Sequence, residues 1–374
     1  DFNTNSGEAM AMGEKSPIAI SDPVAAGKLA LAEALINLLS SGVSKLSDIK
    51  ISANWMASPD NPKRKTDLFN TVKELTQKVC NPWKIAIPVG KDSLSMKTIW
   101  QNDKKTNLSP QSLIISAFTK IKNVKKSITP QLINKNDLIL AYLDLSKAKK
   151  RLGGSILSEV TQQTNLETPD LECLDEFPKI YNYLAARINK KRIFSFHDIS
   201  DGGLIVSAVE MMLAGGCGLN LDLSKISFMK EPSSLFSEEL GVLFQINKND
   251  FSEFKKDFKK LGLKNSFFNI GSTSNTDELR LKTFQQIIKI HHKDLIKSWS
   301  SVSYNIKLLR DNKETTKQEH RFLQSKKRSK LIQKFNFKLN KTYLSRTPKI
   351  AIMRDQGVNS HLEMAAAFSQ AGFK

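Results

Sequence analysis

His197-Asp198-Ile199-Ser200-Asp201-Gly202-Gly203, followed by the apolar run from Leu204 to Leu213, is the stretch on which the fold turns. It sets two carboxylates and a hydroxyl at the start of a helix that is apolar almost all round, so the helix is expected to be buried. Free N–H groups and the helix dipole favour anions at such a terminus. A carboxylate there can also hold Mg²⁺ against a nucleotide phosphate. The same residues read equally well as helix capping by Ser200 or Asp201 with a glycine turn. Alone, the stretch leaves both readings open.

Outward from it, strand and helix signals mix without the strict alternation of a doubly wound sheet, which implies an α+β fold. Ala25 to Leu39 has helical spacing of Ala and Leu. Ile85 to Val89 is a short apolar run ending at Gly90, expected to be a buried strand. Ser112 to Phe118, Leu138 to Leu145 and Leu240 to Ile246 are further strand candidates. The polar turn cluster Asn134-Lys135-Asn136-Asp137 marks a domain boundary. The domains are thus 1–134 and 135–290. Residues 291–347 are polar and basic and read as a connector wrapped on other domains, being longer than most structureless connections. In 348–374, Lys349 to Met353 is expected to be a strand and Asn359 to Gln370 a helix stopped by Gly372. That βα unit cannot bury a core alone, and the chain does not begin with Met. It is therefore read as a piece of a larger protein.

The totals narrow the class. The 374 residues are 40% hydrophobic and 25% charged, as in an ordinary globular protein. No apolar run is long enough to span a bilayer, and nothing at the start resembles a signal peptide. Cys80, Cys173 and Cys217 are far apart and form no CxxC or metal spacing, so buried thiols in a reduced, cytoplasmic setting are expected. The net charge of +20 suggests nucleic acid. Against that, the lysines are spread along the whole chain beside acids, as in Lys255 to Lys260, and no nucleic-acid-binding motif is present. The concentrated stretch Lys326 to Lys330 reads as a solvated linker face.

Two other constellations could carry chemistry. Val89 to Lys97 follows a strand and gathers Gly90, Asp92, two lysines, Ser93 and Ser95, which suits a phosphate. It lacks the Walker A spacing, and taken alone it reads better as a hairpin turn. Glu33 and Asn37 are spaced i, i+4, so two oxygen donors lie on one helix face, as a hard cation requires. An exposed polar stripe would look the same. His291-His292 lacks a third ligand, His361 starts a helix, and Gly153-Gly154-Ser155 opens another. No Ser/His/Asp triad or catalytic cysteine arrangement can be assembled, so no catalytic residue is assigned.

Taken in order, these stretches resemble the large, single-chain phosphoribosylformylglycinamidine synthases. The similarity rests on Gly7 to Lys15 (GEAMAMGEK), Ser52 to Ala57 (SANWMA), Pro88 to Lys97 (PVGKDSLSMK) and His197 to Gly203. Glu238 to Gly241, Leu309 to Asn312 and Gln356 to His361 complete it, and it extends over essentially the whole chain.

The resemblance implies an ATP- and glutamine-dependent ligase of purine biosynthesis. Its substrates are formylglycinamide ribonucleotide, ATP and glutamine, the ammonia source. It implies aminoimidazole ribonucleotide synthetase-like A and B domains in the second copy of an internal duplication, then the first strand–helix unit of a class I glutaminase. The partners would be the rest of the same polypeptide, with no nucleic acid and no membrane. The second pair would carry an auxiliary ATP or ADP with Mg²⁺, for which Glu33, Asn37 and Asp198 match the metal ligands and Ser200 a nucleotide contact. A further aspartate ligand would precede Asp1. Gly90 and Ser93 match positions that complete the nucleotide and substrate phosphate site across the A–A interface. A nucleotide-stabilised, non-catalytic scaffold half and a basic nucleic-acid-binding protein are the competing readings.

Overall fold

The computed structural model describes residues 4–58, 62–101, 104–325 and 346–374. They form two units, Asp1–Gln324 and Ser325–Lys374. Two mixed sheets organise the first.

The first sheet is built from β1 (Gly7–Gly13), β2 (Lys50–Met56), β3 (Ala86–Ser93) and β6 (Ser112–Ile121) in the order β1-β6-β2-β3. β2 and β3 run parallel and the other pairs antiparallel. The period-2 alternation of β1 sends Ala9 and Ala11 to the core and leaves Met10 and Met12 exposed. The core side is covered by α1 (Ser16–Ala19) and α2 (Pro23–Leu39). The side chain of Asp22 caps α2 by accepting from Ala25 N–H at 2.9 Å, and Pro23 sits at its first position. Between the strands lie α3 (Pro62–Glu74), α4 (Asn81–Trp83) and a hairpin of β4 (Lys97–Trp100) and β5 (Lys105–Leu108).

The expected buried strand at Ile85 to Val89 is corrected. A strand forms there, but at the sheet edge, and Val89 is 58% exposed. An apolar run alone does not separate a buried strand from an edge strand. Pro88, lacking an N–H, is tolerated at an edge and not in a central strand.

The second sheet has seven strands, β7 (Leu138–Asp144), β8 (Ser195–Asp198), β9 (Gly218–Asp222), β10 (Gly241–Asn247), β11 (Phe267–Ser274), β12 (Glu278–Lys282) and β13 (Ile287–His291). Their order is β13-β12-β9-β11-β7-β10-β8. β7 is buried throughout because both faces are covered. Ile139, Ala141 and Leu143 enter one apolar cluster with α6 (Phe177–Asn189) and α8 (Phe251–Lys260). Leu140 and Tyr142 enter another with α7 (Gly203–Gly215), the buried helix expected from its sequence. The first cluster continues into α2, so the two sheets share one apolar core. α5 (Ile156–Val160) is capped by Ser155, whose hydroxyl accepts from Ser158 N–H.

Within the stretch expected to be a connector, residues following β13 form α9 (His292–Arg310) and α10 (Lys313–Leu323). The Leu309 to Asn312 motif is the break between them. Asn312 caps α10 by accepting from the N–H groups of Glu314 and Thr315. The remainder of the expected connector, with the basic stretch 326–330, lies outside the described residues. No described helix is long and apolar enough to cross a membrane.

In the second unit α11 (His361–Gln370) ends as anticipated, with Gly372 at φ +93° and Phe373 N–H bonded to Phe368 C=O at 3.0 Å. The strand expected at Lys349 to Met353 is not formed. The segment bonds to the chain end, through Ile350 N–H to Lys374 C=O and Lys374 N–H to Pro348 C=O. A strand needs a ladder, and this unit supplies no second strand among the described residues. Met353 and Leu362 stay exposed at 93% and 71%.

Candidate functional site at the junction of the two sheets

β8 delivers Asp198 to a turn, and α7 begins five residues later. The turn closes because Gly202 and Gly203 adopt φ of +82° and +72°. At Gly203 a Cβ would lie 2.6 Å from the carbonyl carbon of Phe236 and 2.8 Å from Leu235 O. Gly203→Ala should therefore cost about 2 kcal/mol or more, from backbone strain plus a backbone clash. A denaturant midpoint unchanged from the parent protein would contradict this.

Glu238 fastens the turn. Its Oε1 accepts from Gly202 N–H and Ile156 N–H, both at 2.8 Å, joining the starts of α7 and α5. Burial nonetheless raises its pKa against those bonds and Lys15. Beside it, Glu239 is gripped by Arg151 through Nε at 2.6 Å and Nη2 at 2.9 Å. Burial also raises the Glu239 carboxyl, outweighing the arginine.

The first-sheet domain meets this turn with Lys15, Glu33 and Asn37. Lys15 is only 6% exposed, and its Nζ lies 3.1 Å from Glu33 Oε1 and 3.5 Å from Asp201 Oδ1. Burial opposes the ammonium charge, but Glu33, Asp201, Glu238 and Asp198 together leave its pKa raised. Glu33 accepts Glu14 N–H at 2.8 Å through Oε2. Burial pushes its carboxyl up to about 7, with Lys15 pulling it down and the like charge of Asp198 adding to the rise. One turn on, Asn37 donates Nδ2 to Met12 C=O at 3.3 Å, so it is anchored rather than part of a solvated stripe. Ser200 N–H bonds Ser207 Oγ at 3.2 Å.

Thus Glu33, Asn37, Asp198 and Ser200 gather at one junction. Gly90 and Ser93 stand elsewhere, on β3, paired with Ala53 and Met56 of β2. The register puts Ser93 on the same face as Met10, Met12 and Phe118, which are all exposed. Lys15, Asp201 and Glu238 were not assigned from sequence, although each lies in a quoted motif. Their meeting depends on long-range packing.

Among the described residues, no three His, Cys, Asp or Glu side chains converge to hold a metal by themselves. The donor chemistry still suits a hard cation shared with a ligand: two buried carboxylates repel each other, and an amide oxygen follows one turn later. A cleft of about 1000 Å³ is lined by Ser16, Gly154, Ser155 and Asn165. Two concavities of about 540 Å³ around Lys225 and Lys255 contain none of the junction residues.

Two family models match the chain. The model described as the FGAR-AT PurM_N-like domain covers residues 1–120, and that of the AIR synthase related protein C-terminal domain covers 138–283. The chain carries an AIR synthase-like domain pair. Among solved structures, the pair is similar to Thermotoga maritima PurL complexed with FGAR, at 11% identity and a TM-score of 0.60. The match covers 98% of this chain and 52% of that one. T. maritima PurL complexed with ATP gives 10% identity and a TM-score of 0.57 over 78% of this chain and 44% of that. E. coli HypE, a hydrogenase maturation protein, gives 14% and 0.53 over 76% of this chain and 84% of that. The chain spans about half the length of the PurL chains it matches. At these identities the likeness establishes the fold shared by the domain pair.

The junction also sets a pH dependence for the ligand-free protein. Glu33, Glu238 and Glu239 are raised above the ordinary carboxylate value of 4.5, and the His197 imidazole is raised from 6.5 to about 10. Burial opposes the charge on His197, while hydrogen bonds to Asp198 and Glu210 outweigh it. For the raised carboxyls, stability is present below about pH 4.5 and is lost as pH rises through their folded values. For the raised histidine, it is present below 6.5 and lost through about 10. Both make the native state bind more protons than the unfolded one. Without Mg²⁺ or nucleotide, stability should fall from about pH 5 to about pH 9, by about 1.4 kcal/mol per pH unit for each net proton. Urea midpoints across that range check this, and a rising midpoint would contradict it.

Proposed function

We propose that this chain is the second half of the synthase region of a phosphoribosylformylglycinamidine synthase, the half that holds an auxiliary nucleotide with Mg²⁺. The reading rests on the domain pair and, above all, on the buried carboxylates Glu33 and Asp198 meeting beside a helix N-terminus. The reaction is formylglycinamide ribonucleotide, glutamine, ATP and water giving formylglycinamidine ribonucleotide, glutamate, ADP and phosphate. It makes the protein a glutamine amidotransferase and C–N ligase acting in the cytoplasm.

In this reading Glu33, Asn37 and Asp198 take the cation. The Ser200 hydroxyl, in the turn that opens α7, takes a phosphate oxygen, and the dipole of α7 favours its charge. Lys15 keeps Glu33 in place and supplies a second positive charge. When bound, Mg²⁺ neutralises phosphate charge. The exposed face bearing Met10, Met12 and Phe118 is the surface that the A domain of the first pair would cover. Ser93 on that face, with the backbone of Gly90 three residues earlier on the same edge strand, would then reach the substrate phosphate and catalytic nucleotide of the partner pair. Residues 348–374 would begin the glutaminase domain, which supplies ammonia from glutamine through a cysteine nucleophile.

A non-catalytic scaffold is the second reading. The placement of Lys15 favours it, because an internal ammonium already partly compensates the junction carboxylates. The two readings share the nucleotide and differ in turnover.

Releasing bound small molecules from the purified full-length protein by denaturation tests the site. ADP or ATP with Mg²⁺, near one per chain, is the expected result. Absence of nucleotide, together with steeply salt-dependent binding of DNA or RNA, would overturn the reading.

A further inference from the structure

Asp198 is held from behind by a chain of polar contacts that runs out to α9. His197 Nδ1 lies 3.1 Å from Asp198 Oδ1 and 2.7 Å from its main-chain oxygen. His197 Nε2 lies 3.4 Å from Glu210 Oε2, on α7. The other Glu210 oxygen accepts the indole N–H of Trp299, on α9, at 2.9 Å. The imidazole is thus held between two carboxylates, and each ring nitrogen has an acidic neighbour. Asp198 Oδ2 takes no hydrogen bond from the described residues and is left for a ligand.

We propose that Glu210 and Trp299 are positioning residues for the cation and nucleotide at the junction, acting through His197 on the orientation of Asp198. The inference rests on the reading of the junction as a nucleotide–cation site. Its physical basis is geometric. A carboxylate pinned through one oxygen offers the other in a fixed direction, and partners behind a metal-binding side chain commonly change affinity 10–100-fold. The chain of contacts from Glu210 to Asp198 runs through His197, and the variants below test that route. Trp299 stands a further step away and anchors Glu210 from a helix outside both sheets.

Mg·ADP binding to the full-length protein is measured by equilibrium dialysis for the parent, Glu210→Gln, Trp299→Phe and the double variant. Glu210→Gln keeps hydrogen-bonding capacity and loses charge, and Trp299→Phe keeps the ring and loses the donor. With ADP fixed, the Mg²⁺ needed for half-saturation should rise by about 5–10-fold in each single variant. The double variant should be no worse than the weaker single one, because the residues act in series. Addition of Mg·ADP should also change tryptophan emission in the parent more than in Trp299→Phe. A lower melting temperature with unchanged Mg²⁺ dependence would reduce the network to a structural brace and overturn the proposal. Independent, additive losses would overturn it as well. Absence of Mg·ADP binding by the parent would instead remove the site reading, and the relay with it.

Discussion

Asp198→Asn should weaken Mg·ADP binding to the full-length protein by about 100-fold, the loss of roughly 2.7 kcal/mol. The substitution keeps the size of the side chain and removes the charge facing Lys15 and Glu33. In this reading the nucleotide binds only the folded protein, so its stabilisation grows with the logarithm of free ligand over Kd. The variant should therefore melt well below the parent when both are loaded, and close to it when both are stripped. Asp198→Ala should retain as little nucleotide and lose more stability, because His197 Nδ1 then loses the side-chain acceptor that an asparagine amide oxygen still supplies. Measured nucleotide content after desalting separates the cases. Full retention by either variant would remove Asp198 from the site.

The second large effect is structural. Arg151→Met should destabilise the protein by about 3–5 kcal/mol. Arg151 and Glu239 have side-chain exposures of 9% and 1%, and their bidentate pairing satisfies a carboxylate that burial already strains. Removing only the guanidinium leaves that carboxylate in the interior with the main-chain N–H of residue 151, at 3.3 Å, and the charge of Lys150 to offset burial. The double variant Arg151→Met with Glu239→Leu should recover most of the loss, since both buried partners are replaced and Glu172, the guanidinium's other close carboxylate, keeps Lys149. Denaturant unfolding of the two variants decides this. A single variant within about 0.5 kcal/mol of the parent would show that the pair carries little of the B-domain frame.

The α+β class, α2, α7 and the strands β6, β7 and β10 were all legible from local apolar patterning. β7 shows why. Its continuous apolar run reflects coverage on both faces, which a sequence window registers directly. The same logic overreached at β3, where apolar residues lie on an open sheet edge. It overreached again at Lys349 to Met353, where strand-like residues lack a partner strand. α9 and α10 were missed because their helicity comes with polar, basic sequence, and their join depends on one capping asparagine.

Of the six residues matched to sites by resemblance, four converge at the junction and two lie on the first sheet's edge strand. No spacing rule revealed that Lys15 and Glu238 would join the four, for they come from two separate segments, whereas Asp201 stands beside Ser200 in the stretch that opens α7. Their meeting is a product of the shared core that seats α2 against the second sheet.

The most direct test of the central claim is an assay of the full-length protein with formylglycinamide ribonucleotide, glutamine and Mg·ATP. The account predicts formylglycinamidine ribonucleotide, with one ADP, one phosphate and one glutamate formed per product. Protein that retains its auxiliary nucleotide, hydrolyses neither ATP nor glutamine with this substrate and leaves it unchanged would contradict it.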